Sequence, residues 1–212
     1  MKTSTRWTVA VLVVVVALGA ALWVQLGGGD SGSGSSGPAA PRDRRDADTA
    51  EALAEPRARA DLAPCPPGVG DGPEALRGIV LECVADGSRV DVAKAVAGRT
   101  VVLNLWAYWC APCARELPAM AEYQRRVGSE VTVLTVHQDE NETAALLRLA
   151  ELGVHLPTLQ DGRRRIAAAL KVPNVMPATV VLRSDGSVAA ILPRSFDNAD
   201  EIAAAVGPTI GP

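Results

Sequence analysis

The sequence predicts an α/β domain with a central mixed β-sheet and helices on both faces, and three observations predict it. Short β-type apolar runs alternate with helix-period segments between Thr100 and Leu170, the pattern of strands and helices sharing one core. Two Asp-Gly turns, Asp86-Gly87 and Asp185-Gly186, are each flanked by strand-like runs and spell hairpins. Two cysteines, Cys110 and Cys113, stand where an apolar strand gives way to a helix, at the strand end where open α/β sheets place their sites.

Taken in order, Ile79 to Val92 reads as an N-terminal β-hairpin. Thr100 to Trp106 is a continuous apolar run suited to the middle of a sheet. Ala114 to Arg126 carries Leu117, Met120, Ala121 and Tyr123 at helical spacing, and Pro118 predicts a kink there. Glu130 to Val136 reads as a second apolar strand, and Glu142 to Leu152 as a helix ended by Gly153. Arg163 to Leu170 reads as a short helix with Arg163 to Arg165 as its charged face. Ala178 to Leu182 and Ser187 to Leu192 form the second hairpin, and Asn198 to Val206 closes the chain as a helix.

Three regions precede or make up this domain. In residues 1–26, Lys2 and Arg6 stand ahead of an apolar run from Val9 to Leu26, long enough to cross a bilayer as a single transmembrane helix. Positive charge before the run and none just after it places the remainder of the chain on the extracytoplasmic side. The expected arrangement is a single-pass anchor in the cell membrane. The alternative is a signal cleaved near Gly19, Ala20 and Ala21, which yields a secreted protein. Residues 27–61, first Gly/Ser-rich and then rich in Ala, Arg, Asp and Pro, read as a flexible linker. Within it, Arg42, Arg44 and Arg45 are interleaved with aspartates and read as solvated. Residues 62–212 have the size of one domain. A net charge of −3 and 3% aromatic residues leave neither phosphate neutralisation nor base stacking supported, so nucleic acid is not an expected partner.

The chemistry lies in the sulfurs. At a helix N-terminus, unpaired backbone N–H groups and the macrodipole favour a thiolate, so Cys110 is the expected nucleophile. Cys113, one turn on and on the same face, is the expected resolving cysteine. In an exported chain the remaining Cys65 and Cys83 are expected to form a structural disulfide. The rival, a second redox pair, lacks a helix start to lower either pKa. A zinc site needs two more ligands, and His137 and His155 have no partner at i+3 or i+4. Both histidines read as loop or surface residues. No metal and no cofactor is expected beyond the Cys110–Cys113 pair itself.

The segment Val101-Val102-Leu103-Asn104-Leu105-Trp106-Ala107-Tyr108-Trp109-Cys110-Ala111-Pro112-Cys113-Ala114-Arg115-Glu116-Leu117-Pro118 resembles the thioredoxin superfamily. Within it, the chain is similar to the extracytoplasmic, membrane-tethered TlpA/ResA-like thiol-disulfide oxidoreductases. The similarity runs roughly from Gly78 to Val206, and the added helix and strand between Glu142 and Gln160 match that branch. The resemblance implies a thioredoxin-like fold and a support role for Trp109, Pro112, Met176 and Pro177 around the sulfurs. Pro177 is the implied cis-proline, with Pro173 as the rival. It also implies reduction of cysteines in exported proteins, such as apocytochrome c before haem attachment, with electrons from a membrane partner. A disulfide-forming oxidase or isomerase is the alternative, and a metal-binding chaperone of related fold is the non-enzyme alternative. Ala111-Pro112 puts no charge between the thiols, which favours the reductant. Cytoplasmic members keep an Asp where this chain has Asn104, and an amide accepts no proton at neutral pH. Glu82 and Glu116 are the carboxylates that could serve instead, although both read as exposed or partly exposed.

Overall fold

In a computed structural model of the protein, the structure describes residues 48–210. The apolar run Val9 to Leu26 and the linker up to residue 47 lie outside the described residues. Among the described residues, no helix is long and apolar enough to cross a membrane.

Seven strands form one sheet in the order β2-β1-β5-β4-β3-β6-β7. They are β1 Val80–Cys83, β2 Arg89–Asp91, β3 Val101–Trp106, β4 Thr132–His137, β5 Thr158–Gln160, β6 Ala178–Leu182 and β7 Val188–Leu192. The inner strands β3, β4 and β5 run parallel, with Leu103 opposite Leu134 and Val136 opposite Leu159. Antiparallel strands flank them: β6 on β3, β7 on β6, and the β1–β2 pair on β5. The two tight turns are built as their Asp-Gly sequences require. Gly87 and Gly186 have φ of 77° and 84°, a region costly for any side chain with a Cβ. Asp86 and Asp185 accept the N–H two residues on, at 2.9 and 2.8 Å.

The helices are α1 Ala50–Ala60, α2 Val92–Val96, α3 Ala111–Val127, α4 Glu142–Leu152, α5 Arg165–Ala169 and α6 Ala199–Ile210. Strand alternation divides the core. Val101, Leu103 and Leu105 face α2 and α5, while Val102 and Trp106 face α3, α4 and α6. The mixed sheet is therefore covered on both sides. α3 begins at Ala111, three residues before the expected start, because Pro112 is tolerated in a first turn whose N–H groups lack intrahelical partners. It continues through Pro118 to Val127 as one element.

The linker reading fails over its last part. Residues 50–60 form α1, capped by Thr49 and bearing buried Leu53, Pro56 and Ala60. Leu53 and Ala60 pack with Val84 and Leu146, so the helix lies on α4 and the end of β1. Arg57 reaches Glu82 at 2.7 Å, Glu142 at 2.8 Å and the Val84 carbonyl at 3.2 Å. The ends are tied as well. Asp48 accepts the Glu142 and Thr143 N–H groups at the start of α4, and His155 Nδ1 lies 3.0 Å from the Ala60 and Asp61 carbonyls. An apolar stripe of only Leu53, Pro56 and Ala60 leaves too weak a period to read, and the ion pairs cross from one element to others.

If α1 is an integral strap, Leu53→Ala lowers the unfolding free energy by about 2 to 3 kcal/mol. Urea unfolding of the two proteins measures this, and equal midpoints would restore the tether reading.

Candidate active site

The site grows from the junction of β3 and α3. After Trp106 the chain crosses Ala107 to Trp109, and Cys110 becomes the N-cap of α3 with extended backbone angles. Its sulfur sits where a capping oxygen usually stands, accepting the Cys113 N–H at 3.2 Å. The Cys110 carbonyl accepts the Ala114 N–H at 3.1 Å, which closes the first turn. Cys110 and Cys113 are joined as a disulfide. Cys110 is 5% exposed and Cys113 fully buried, so an incoming sulfur reaches Cys110 first.

Two loops flank this sulfur. On one side Trp109 is 59% exposed, yet its ring is held because Nε1 donates to Asp139 Oδ2 at 3.0 Å. Asp139 is fixed in turn by the Asn141 N–H on Oδ1 and by Gln160 Nε2 on its carbonyl. On the other side the Met176–Pro177 bond is cis and the bond before Pro173 is not. Ala178, the next residue, opens β6 opposite Leu105, so this turn lies beside the end of β3. Met176 packs on the apolar cluster that contains both cysteines.

His137 corrects the surface reading. It ends β4 fully buried, its ring 4.9 Å from Trp106 and 6.1 Å from Tyr108. Burial pulls its pKa down against the Gln160 hydrogen bond, which favours the neutral imidazole.

Glu116 departs from the exposure its sequence position suggests. Glu116 is fully buried on α3, one turn beyond Cys113. Asn104 shares the sheet face of Val102 and Trp106, and its Nδ2 donates to Glu116 Oε2 at 2.9 Å. Neither Glu116 Oε1 nor Asn104 Oδ1 has a hydrogen-bond partner. Loss of solvent pushes the Glu116 pKa up to about 7, against weaker pulls from Asn104, the Phe196 backbone and Arg194. The amide that replaces an aspartate therefore holds a carboxyl that titrates near neutrality. Glu82, the other candidate carboxylate, lies on β1 paired with Arg57 of α1, and β5 and β4 separate it from β3.

The remaining cysteines are also joined. The Cys65–Cys83 disulfide fastens the segment after α1 to β1, on the far side of β5 and β4 from the first pair. Among the described residues, no group of three or more His, Cys, Asp or Glu side chains is placed to hold a metal ion.

The Redoxin family profile matches residues 68–205. The chain belongs to the Redoxin family. Among curated proteins, this Redoxin chain is 29% identical over 108 residues to the thiol-disulfide oxidoreductase ResA of Bacillus subtilis, covering 50% of the chain and 59% of that relative. It thus spans less than two thirds of that relative's length. A secreted disulfide oxidoreductase of Mycobacterium tuberculosis superposes with a TM-score of 0.55 at 23% identity, over 64% of this chain and 98% of that one. A secreted thiol-disulfide isomerase of Corynebacterium glutamicum gives a TM-score of 0.56 at 25% identity, over 63% of this chain and 84% of that one. Together with the profile, these matches show a Redoxin chain, similar to ResA, with the thioredoxin-like α/β fold and its mixed sheet.

Glu116 gives the Redoxin domain a definite pH dependence. Its folded pKa, about 7, lies above the ordinary 4.5, so the folded state holds a proton that the unfolded chain releases. That contribution is complete below pH 4.5 and is lost as pH rises to about 7, roughly 3 kcal/mol in all. Glu116→Gln cannot ionise. The variant should therefore gain stability relative to the wild type as pH climbs through this window in urea titrations. A difference that stays constant with pH would contradict a buried, titrating Glu116.

Proposed function

We propose that this protein is an extracytoplasmic thiol-disulfide oxidoreductase, tethered to the membrane through Val9 to Leu26, that reduces disulfides in exported proteins. The observation that carries this reading is the Cys110 sulfur at the N-cap of α3, bonded to the wholly buried Cys113 and flanked by a cis-proline turn. The names of ResA and of the secreted relatives support it.

In the reduced protein, the helix N-terminus and its unpaired N–H groups stabilise the Cys110 thiolate. That thiolate attacks one sulfur of a substrate disulfide lying along the Met176 backbone. The substrate S–S bond breaks, a Cys110–substrate disulfide forms and the other substrate sulfur leaves as a thiolate. Glu116 takes the proton from the Cys113 thiol. The Cys113 thiolate then attacks Cys110 Sγ, closes the Cys110–Cys113 disulfide and releases the second substrate thiolate. Two electrons have passed from the protein to the substrate, and a membrane electron-transfer partner returns them. Pro112 keeps the first turn free of an N–H that would lack a partner, and Trp109 offers an apolar wall to the substrate chain. Cys65–Cys83 serves as a structural bridge that stays out of the exchange.

Apocytochrome c before haem attachment is the substrate that fits a reductant in this compartment. The uncharged Ala111-Pro112 pair favours the reductant, because nothing between the thiols adds charge stabilisation to the thiolate. The second reading, an oxidase or isomerase for folding exported proteins, is favoured by the likeness to the secreted isomerase of Corynebacterium glutamicum.

Trapping with a disulfide-bonded peptide tests the assigned roles. Cys113→Ser should accumulate a covalent adduct at Cys110, Glu116→Gln should resolve the same adduct on the order of a hundredfold more slowly, and Cys110→Ser should form none. An adduct on Cys110→Ser equal to that on Cys113→Ser would reverse the roles. Direction is read from the reduction potential: about −250 mV or lower supports the reductant, and a value near about −120 mV supports the oxidase.

A further inference from the structure

Arg163-Arg164-Arg165 looks like one charged helix face in the sequence, but the fold sends its members to different tasks. Arg163 and Arg165 line a polar cleft of about 490 Å³ together with Glu140 and Asp161. Arg165 also donates to the Gly78 and Val80 carbonyls, each at 3.1 Å.

Arg164 makes a different set of bonds. It precedes α5 in the left-handed region, φ 55° and ψ 36°, a conformation that costs a side chain with a Cβ and clusters at functional sites. Its Nε donates to Gln138 Oε1 at 3.2 Å, and its Nη1 donates to the Asn174 side-chain oxygen. Gln138 directly precedes Asp139, the residue that holds Trp109, and its own N–H is bound to the Trp106 carbonyl at 2.8 Å. Asn174 lies two residues before Met176 in the cis-proline turn. One planar cation therefore ties together the two loops on either side of Cys110.

The helix does not need this side chain. The start of α5 is satisfied by Asp161, whose carboxylate accepts the Arg165 and Ile166 N–H groups at 2.8 and 2.9 Å. Asn174 is exposed, so its bond to Arg164 closes over no buried core. What the bridge does fix is the relative placement of the two walls. A guanidinium suits this task because its rigid fork serves acceptors in two directions at once, which an ammonium on a flexible stem does not.

We infer that Arg164 is a positioning residue of the redox site: by joining Gln138 to Asn174 it sets the width of the seat, between Trp109 and Met176, that takes the polypeptide around the substrate disulfide. The inference rests on the substrate edge proposed above.

Steady-state reduction of insulin by the full chain tests it. Asn174→Ala, a change at an exposed position, and Arg164→Lys, which keeps the charge, should each raise KM about fivefold with kcat within twofold. The double variant should match the more impaired single variant, since either change breaks the same bridge. Unchanged KM, an equal loss in kcat, or additive losses in the double variant would overturn the role of Arg164 and leave the proposed activity standing. No turnover by the wild type would instead remove the activity, and this inference with it.

Discussion

The site depends on a sulfur doing the work of a capping oxygen. Strand β3 delivers the chain to the C-terminal edge of the sheet, α3 starts there, and Cys110 meets the unpaired N–H groups of the first turn. A group so placed is stabilised most when it carries negative charge, so the geometry that starts the helix also favours a thiolate at Cys110. The surrounding parts are set by that junction. The helical step places Cys113 in the core beneath it, β6 sets the cis-proline turn alongside, and the loop after β4 supplies the carboxylate that holds Trp109.

Two buried glutamates show opposite ways of keeping a carboxyl out of water. Glu142, at the start of α4, is paired with Arg57 of α1, although burial still pushes its pKa up to about 7. Glu116 has a neutral amide for its hydrogen-bond partner and only weak further pulls from the Phe196 backbone and Arg194. Burying an unpaired carboxylate is costly, so the group resists ionising until near neutrality. In the first case the surroundings join a helix to the domain. In the second they leave a carboxyl that titrates near neutrality one turn from Cys113.

Much of the fold could be read from pattern alone, because its elements obey simple periods. The largely apolar, wholly or mostly buried runs of β3 and β4, the Asp-Gly turns and the Gly153 stop of α4 are local signals. The strand-to-helix junction at Cys110 was legible for the same reason, although the helix starts at Ala111 and not at the expected Ala114. α1 was not, because Leu53, Pro56 and Ala60 make a thin stripe in an Ala/Arg-rich segment and Arg57 finds its partners far along the chain. The burial of Glu116 had a usable signal: it falls one turn from Cys113, beside Leu117 and near Met120 on the buried face of α3. Arg164 offered none, since neighbouring arginines with identical chemistry diverge only once the loops are in place.

The most direct measurement of the central claim is a pH titration of thiolate absorbance in the reduced protein, with Cys110→Ser and Cys113→Ser to separate the two sulfurs. The capped geometry predicts that Cys110 ionises clearly below the free-cysteine value of about 8.5 and the buried Cys113 above it. A Cys110 pKa at or above that value would show that the helix start does not stabilise the sulfur anion, and would contradict the account at its root.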